Sequence, residues 1–419
     1  MRTWYRNLDY ITILAWIGLV TIGLVAIYST THGTATEFLL DSVRDNFGRQ
    51  LMWAGLCVVG IVATLLLPVR FFQKAAYPIY GVTLLLLIAA LVFGREINGA
   101  RSWLTFGPVQ FQVSELAKVG TVLAVAQLLS SRRPNSSTVR YGLMAVGLLV
   151  VPGMLIVLQN DTGTALVFFA LVPIMLFWSG LPISTVLLMV SPAVAGYLAI
   201  VYWPAAIAFA LLFSLGLYWR TKDYRITALA GLFTAGTTAV TYFALNKILQ
   251  PHQVARIVSF TNPEAEEFRR GVGFQLVQSK AAIGSGGLLG KGFKEGTQTQ
   301  GAYIPEQATD FVFSVIGEEW GFIGAIFLLA LFAFLLIRLI ILGAQMKHPF
   351  GSMMAAGAAG IYLVHVFINI GMVTGLLPAI GIPLPFISYG GSALLANTAM
   401  LAILLSLHMR RDDFSIYGY

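Results

Sequence analysis

The chain has 419 residues, of which 58% are hydrophobic and 11% are charged, and its mean hydropathy is +0.81. Soluble domains carry about 25% charged residues, so this composition excludes an ordinary soluble protein and predicts a polytopic membrane protein. The net charge of +8 does not indicate nucleic-acid binding, because the basic residues are scattered over short loops and one long loop and form no continuous stripe.

Apolar runs of about 17 to 25 residues have the length that crosses a hydrocarbon core as a helix. The sequence contains about twelve such runs, and they predict an all-α fold, a transmembrane helical bundle formed by one integral membrane domain over residues 1–419. A large polar loop, 246–309, interrupts them. The predicted spans are 11–29, 50–68, 77–93, 113–130, 141–159, 163–179, 184–201, 203–219, 226–246, 321–341, 352–375 and 388–408.

The basic residues of the short loops predict the orientation, because Lys and Arg are retained on the cytoplasmic side. The first run follows Arg2 and Arg6, is too long for a signal-peptide core and is expected to stay as an anchor. Both termini are then cytoplasmic and the loop 246–309 is extracytoplasmic. The predicted inner residues are Arg2, Arg6, Arg70, Lys74, Arg132, Arg133, Arg140, Arg220, Lys222, Arg225, Arg338, Lys347, Arg410 and Arg411, against Arg44, Arg49, Arg95 and Arg101 outside.

Cysteine and histidine give no metal signature. Cys57 is the single cysteine and lies in an apolar run, and the five histidines are far apart in the sequence. A disulfide framework, a thiolate metal site and a protein-ligated zinc are therefore not expected.

The first polar interruption runs from Asn98 to Lys118. If a helix begins near Ser114, Glu115 and Lys118 are three residues apart and share one face. A salt bridge at a helix start would explain the pair. However, Lys118 falls inside an apolar span, where an ammonium normally faces the bundle interior or a wet cavity, and this favours a pair that lines a polar pocket.

Two further interruptions leave alternatives open. The short turn 159–164 contains Asp161 and is either a simple hairpin turn or part of a site. The loop 246–309 is too long for a mere connection, and its apolar residues favour amphipathic segments on the membrane face over disorder. Its stretch 284–292 lacks the Walker pattern, which leaves a flexible, basic, glycine-rich segment. With Lys280, Lys291 and Lys294 it either meets an anionic head group or is a solvated linker.

Asp310 is the most informative residue, because it stands where the polar loop gives way to a membrane-length apolar run. The residues around it complete a set of motifs by which the chain resembles the SEDS family of polytopic membrane proteins over nearly its whole length. The motifs are Gly99-Ala100-Arg101-Ser102-Trp103, Gln112-Val113-Ser114-Glu115-Leu116-Ala117-Lys118, Gln159-Asn160-Asp161-Thr162-Gly163-Thr164, Gln278-Ser279-Lys280-Ala281-Ala282-Ile283-Gly284-Ser285-Gly286-Gly287, Pro305-Glu306-Gln307-Ala308-Thr309-Asp310-Phe311, Gly317-Glu318-Glu319-Trp320-Gly321 and Pro383-Leu384-Pro385-Phe386-Ile387-Ser388-Tyr389-Gly390-Gly391-Ser392.

The resemblance implies a peptidoglycan glycosyltransferase that polymerises lipid II into glycan strands, releases undecaprenyl diphosphate and works in the bacterial cytoplasmic membrane. The implied partners are a class B penicillin-binding protein and other membrane proteins of the elongation complex. The family's critical aspartate falls on Asp310, and its motifs add Lys280 and Ser388 as substrate-binding candidates. The short terminal tails favour an elongation role over a division role.

The sequence departs from the family pattern at Val113, Asn160, Thr162 and Ala308, none of which removes a carboxylate or Lys118. The loss of the family's histidine at Ala308 indicates that this histidine is not an indispensable proton relay here. The family core has about ten spans, so the resemblance also predicts an added helical hairpin at 203–246.

The implied reaction assigns the roles. A sugar 4-hydroxyl must lose its proton as it attacks an anomeric carbon, and partial desolvation suits Asp310 to act as the base. A base opposite the leaving group predicts inversion. Lys118, oriented by Glu115, and Arg101 are candidates to stabilise the diphosphate, and Asp161 is a further substrate-binding candidate. A substrate-bridged divalent metal, Mg²⁺ or Mn²⁺, is expected, and no organic cofactor.

Two functions of other classes fit the same composition. A flippase for lipid-linked precursors would also use polar residues and glycine-interrupted helices, but it needs ionisable groups along a path through both leaflets. A structural subunit would leave the polar residues of the outer half without a function. The polymerase is favoured because the ionisable residues are predicted to gather in the outer half: Glu115, Lys118, Asp161, Asp310, Glu318 and Glu319.

Overall fold

A computed structural model describes residues 7–33, 41–97, 99–107, 109–131, 138–248, 254, 257, 259–263, 265 and 273–412. Part of the predicted loop 246–309 therefore lies outside the described residues, as do Arg2, Arg6, Arg132 and Arg133 of the orientation argument. The chain divides into two compact units. One comprises Met1–Met175, Gln278–Thr374 and Ile380–Tyr419, and the other Leu176–Val277 and Gly375–Ala379.

Helices dominate both units. In chain order they are α1 (Tyr10–Thr31), α2 (Asp41–Arg44), α3 (Asn46–Leu66), α4 (Val69–Phe93), α5 (Val113–Ser130), α6 (Thr138–Leu158), α7 (Thr162–Trp178), α8 (Ile183–Val201), α9 (Trp203–Thr221), α10 (Tyr224–Phe243), α11 (Phe274–Ser285), α12 (Thr297–Gln300), α13 (Val312–Glu319), α14 (Gly321–Ala344), α15 (Pro349–Val373) and α16 (Gly391–Met409).

Eleven helices in the described part of the chain are long and apolar enough to cross a membrane, and the apolar α7 is slightly shorter. These twelve helices correspond one to one with the predicted runs and confirm a multi-pass membrane fold. Their ends differ in two informative places. Helix α4 begins at Val69 because Arg70 and Lys74 break the apolar run without breaking a helix. Helix α16 begins at Gly391, which leaves Ser388 in the preceding turn.

The core of the first unit is formed by α5, α15 and α16, whose residues are mostly buried. Small residues allow these helices to approach closely, as is usual for helices packed in membranes. At Gly357 an added Cβ would lie 2.3 Å from the side chain of Val122. The close packing fixes the position of every polar group on these helices.

A small antiparallel sheet joins α4 to α5 and was not predicted. Its strands are β1 (Arg95–Ile97), β2 (Ala100–Phe106) and β3 (Val109–Gln112), in the order β1-β2-β3. Trp103 pairs with Gln112, and α5 begins at the next residue. Strands this short and polar carry no strong periodicity, so the sequence showed only a loop.

In the second unit α9 and α10 form a helical hairpin that packs on α8. Lys222 takes a left-handed conformation (φ 53°) in the turn, and the side chain of Asp223 accepts a hydrogen bond from the backbone N–H of Arg225 at 2.8 Å. A π-helical turn, Ala244–Ile248, continues α10. The helices match the predicted hairpin at 203–246, and its interpretation as an addition to the family core stays a prediction.

The glycine-rich stretch that follows α11 is packed against distant segments of the chain, which the sequence did not predict. Its backbone pairs with the chain around α13 and α14: Lys291 N–H donates to the Glu318 carbonyl at 3.0 Å, and Phe322 N–H to the Gly287 carbonyl at 2.9 Å. Gly290 has a φ of +83°, and an added Cβ there would lie 2.1 Å from the Glu319 carbonyl oxygen. The glycines therefore serve close backbone packing.

Candidate functional site

Asp310 lies in the loop between α12 and α13. Its backbone N–H donates to the Glu306 carbonyl at 3.1 Å, which closes a turn within the segment Pro305–Phe311. The sequence placed Asp310 at the end of the polar loop, ahead of the predicted span 321–341. The span α14 begins at Gly321 as predicted, and the short helix α13 lies between it and Asp310. Asp310 is therefore positioned by a folded segment outside the spans.

The carboxylate of Asp310 is partly buried, and an added Cβ at Gly381 would lie 3.2 Å from its Oδ2. Burial raises the pKa of Asp310 to about 7, and the negative charges of Glu306 and Asp161 contribute in the same direction. A carboxyl group with a pKa in this range can take up and release a proton near neutral pH. That is the protonation behaviour expected of a general base or acid.

Asp161 combines both interpretations that the sequence left open. Its Oδ1 accepts from the backbone N–H of Thr164 at 3.1 Å, as in an ordinary hairpin turn. Its Oδ2 accepts from Nε2 of Gln112 at 3.0 Å, and its charge acts on Asp310. Asp161 therefore belongs both to the turn and to the surroundings of Asp310.

Glu115 and Lys118 form the predicted ion pair, with 2.9 Å between Lys118 Nζ and Glu115 Oε1. Both side chains are almost completely buried, at 1% and 2% exposure for Lys118 and Glu115. Lys118 Nζ also donates to Nε2 of His365 at 2.9 Å. The pair thus lies within the packed helices and not on the wall of an open pocket, and its assignment to substrate binding stays a prediction.

The remaining predicted residues differ in what they can reach. Arg101 is 60% exposed and pairs with Glu96 at 3.4 Å. Its backbone N–H donates to the Gln159 carbonyl at 2.8 Å, which joins β2 to the turn that carries Asp161. Lys280 is exposed on α11.

Ser388 is buried, and its hydroxyl accepts from the backbone N–H of Leu384 at 2.8 Å. The side chain of Gln50 brackets the same turn, donating to the Ser388 carbonyl at 3.3 Å and accepting from Gly390 N–H at 3.1 Å. In this arrangement the Ser388 hydroxyl stabilises its own turn.

The sequence argument missed His365 and Asn369, two buried residues of α15. They are four residues apart and therefore share a face of the helix. A signal was present, because polar residues inside an apolar span are functional candidates by default. His365 Nδ1 donates to the Pro383 carbonyl at 3.0 Å, and Asn369 contacts the backbone of Asp310 itself.

The expected divalent metal can be tested against the donor set. No group of three or more His, Cys, Asp or Glu residues close enough to hold an ion occurs among the described residues. Asp310 and Asp161 nevertheless bring two carboxylates, which are hard oxygen donors, to one region. Of the two, Asp161 would hold the cation, which would supply positive charge to a bound diphosphate, and Asp310 is left for proton transfer.

The fold and the site together define a polytopic helical membrane protein with a carboxylate-centred polar site in a loop region of its larger unit. The family model FTSW_RODA_SPOVE, described as "Cell cycle protein", matches residues 9–222 and 200–413. The chain belongs to this family, as the motifs indicated.

Two similar proteins with assigned activities match almost end to end. The peptidoglycan glycosyltransferase MrdB of Escherichia coli (strain K12) is 35% identical, over 98% of this chain and 95% of that protein. The peptidoglycan glycosyltransferase RodA of Treponema pallidum (strain Nichols) is 30% identical, over 97% and 98%. The protein is thus a peptidoglycan glycosyltransferase.

Solved structures give the same result. A chain from the structure described as "Structural coordination of polymerization and crosslinking by a peptidoglycan synthase complex" has a TM-score of 0.72 and 32% identity, covering 96% of this chain and 98% of that chain. The rod shape determining protein RodA of Thermus thermophilus has a TM-score of 0.62 and 30% identity, covering 96% and 97%.

Proposed function

We propose that this peptidoglycan glycosyltransferase polymerises lipid II into glycan strands at the outer face of the cytoplasmic membrane, with Asp310 as the general base. The observation that carries the proposal is the carboxylate of Asp310, which is held outside the spans and has a pKa raised to about 7 by burial and by Glu306 and Asp161. An ordinary surface aspartate would be too weak a base for this step.

The reaction joins a sugar 4-hydroxyl to the anomeric carbon of a lipid-linked sugar. Asp310 accepts the hydroxyl proton as the new C–O bond forms, and the bond from the anomeric carbon to the diphosphate oxygen breaks. Undecaprenyl diphosphate leaves with the bonding electron pair. Because the base and the leaving group lie on opposite faces of the sugar, the α-linked donor gives a β-linked product.

The leaving diphosphate needs positive charge in a site with little water. Arg101, whose side chain is 60% exposed, and the exposed Lys280 are the proposed cations. Lys118 is buried and held by Glu115 and His365, so we assign it an indirect role through the helices that support the site.

A divalent cation is part of the proposal. Asp161 would hold it beside the diphosphate of the substrate, and Asp310 keeps its carboxylate for the proton. When bound, Mg²⁺ or Mn²⁺ supplies charge that offsets the negative charge of the leaving group.

The cellular setting is proposed from the chain and from its relatives. The similar chain in a peptidoglycan synthase complex supports a class B penicillin-binding protein as partner. The excess of Lys and Arg in the predicted inner loops supports cytoplasmic termini. The RodA and MrdB relatives support a role in elongation over one in division.

The experiment is lipid II polymerisation by the purified full-length protein, with its partner and a divalent metal. Asp310→Asn should abolish glycan product, because an amide cannot accept the proton, while the melting temperature stays within a few degrees of wild type. Glu295→Gln is the matched control: it makes the same acid-to-amide change at an exposed carboxylate that is not among the charges acting on Asp310, and it should keep polymerising. Polymer made by Asp310→Asn at the wild-type rate would refute the assignment of the base.

A further inference from the structure

Asn369 contacts the backbone of Asp310 from the helix α15. It is completely buried on α15, and its side-chain nitrogen Nδ2 donates two hydrogen bonds. One goes to the backbone carbonyl of Asp310 at 2.8 Å and the other to the backbone carbonyl of Ile382 at 2.7 Å. One amide group therefore joins the segment of Asp310 to a second segment of the site.

The chemistry of the partners fixes the orientation of this amide. Both partners are carbonyl oxygens, which only accept hydrogen bonds, so the NH₂ group must face them. An amide has two N–H donors on one nitrogen, and both are used. A carboxylate of the same shape has none when ionised, so the contact requires an amide and not merely a polar side chain.

The second segment lies against the carboxylate of Asp310. Gly381, next to Ile382, has a φ of +75°, and its missing Cβ would lie 3.2 Å from Asp310 Oδ2. The adjacent Pro383 carbonyl accepts from His365, one helical turn before Asn369. Two consecutive carbonyls of this segment are thus held by the same face of α15.

The support continues into the helix core. A backbone carbonyl accepts from Nδ1 of His365, so this nitrogen carries the proton and Nε2 is the acceptor for Lys118. Lys118 is in turn held by Glu115 on α5. The buried ion pair therefore supports the face of α15 that holds the site.

We propose that Asn369 is a positioning residue for Asp310, and that it sets the distance between the Asp310 carboxylate and the segment Gly381–Pro383. The inference rests on the proposed role of Asp310 as base. Asn369 does not touch the substrate in this account. It acts by holding the base and the wall beside it in one arrangement.

The role predicts a particular kinetic defect. Without the two hydrogen bonds the Asp310 backbone can relax, and a displacement of about 1 Å at a catalytic group costs up to about 10²-fold in rate. Asn369→Ala should therefore lower kcat for lipid II polymerisation by about 10- to 100-fold. KM should change by less than about 3-fold, because no contact with the substrate is lost.

Asn369→Asp supplies a readout that a general packing defect would not give. The negatively charged groups acting on Asp310 are Glu306 and Asp161, and the nearest charges behind His365 on α15 are Lys118 and Glu115. A new carboxylate at position 369 would add repulsion next to Asp310 and favour its protonated form. The rise of kcat with pH should move to higher pH than in wild type.

The experiment measures kcat, KM and the pH profile of the full-length protein with its partner, for wild type, Asn369→Ala, Asn369→Asp and Asn369→Ser. The serine variant keeps one hydrogen-bond donor without adding a charge, so its kcat should lie between those of wild type and Asn369→Ala. It also allows the test to be made if the other two variants do not fold. Asn397→Ala is the control, since it removes another buried asparagine, on α16, and should keep at least about half of the activity.

A wild-type kcat in Asn369→Ala or Asn369→Ser, or a loss confined to KM, would overturn the inference. An unchanged pH profile in an active Asn369→Asp variant would also overturn it. Asp310→Asn distinguishes a failure of the base assignment from a failure of the positioning role of Asn369. If that variant polymerises normally, the base assignment fails; if it is inactive while Asn369→Ala behaves as wild type, only the positioning role fails.

Discussion

At the residue scale, two of the acidic residues singled out by the sequence, Asp310 and Glu115, have different surroundings. Asp310 is partly buried beside negative charges, which raises its pKa to about 7, whereas Glu115 is fully buried but neutralised by Lys118. The sequence identified both, because a carboxylate at the edge of a span and an ammonium inside a span are unusual. The sequence could not show that His365 contacts the Glu115–Lys118 pair, because Lys118 and His365 are 247 positions apart.

We expect Lys118→Ala to reduce both stability and turnover. Removing one partner of a buried ion pair leaves the other charge uncompensated, which lowers the free energy of unfolding by about 3–5 kcal/mol. The substitution also removes the hydrogen bond from Lys118 to His365. The measurement is the melting temperature in detergent together with the polymerisation rate. Lys294→Ala, which removes a lysine lying 4.2 Å from the ring centroid of Tyr28, should have a small effect on both, and equal effects of the two variants would mean that the buried pair has no special role.

At the element scale, the long transmembrane helices were predictable and the short elements around the site were not. A membrane span can be predicted from the length of its apolar run alone. The strands β1 to β3, the short helix α13 and the ordered glycine-rich stretch depend on contacts with distant segments. Glu318 illustrates this, because its buried carboxylate accepts from Lys291 Nζ at 2.8 Å and from the backbone N–H groups of Gln298 and Thr299, each at 2.9 Å.

The packing of the glycine-rich stretch predicts that alanine substitutions at two glycines, Gly290 and Gly284, have different effects on stability. Gly290→Ala would place a Cβ 2.1 Å from the Glu319 carbonyl and force a φ of +83° on alanine, so it should destabilise the protein by about 1–3 kcal/mol. Gly284→Ala meets nothing within 4 Å and lies in α11, where alanine is favoured, so its melting temperature should be unchanged or higher. Equal melting temperatures for the two variants would contradict the close packing.

At the scale of the whole molecule, the sequence predicted the number and order of spans, because each is long and separately apolar. The division into two units required the structure. The site residues Asp161, Asp310, Asn369 and Gly381 all belong to the larger unit, and the hairpin of α9 and α10 belongs to the other. The purpose of the hairpin could not be read from its apolar, small-residue composition.

The proposed orientation can be tested by cysteine labelling, since Cys57 is the single cysteine and is buried. In a Cys57→Ala background, we expect Glu295→Cys to react with a membrane-impermeant maleimide in intact spheroplasts. Arg225→Cys, in the turn region between α9 and α10, should react only after permeabilisation. Labelling of Arg225→Cys in intact spheroplasts, with protection of Glu295→Cys, would contradict the cytoplasmic termini and the outward-facing site.

The central claim, that Asp310 takes the proton of the attacking hydroxyl, is tested most directly by the pH dependence of lipid II polymerisation. The carboxylate has a raised pKa of about 7 and must be ionised to act. We therefore predict that kcat rises about tenfold per pH unit below pH 7 and levels off above it, and that Asp310→Asn shows no activity at any pH. A rate that is flat from about pH 5 to 9, or a rising profile that persists in Asp310→Asn, would contradict the account.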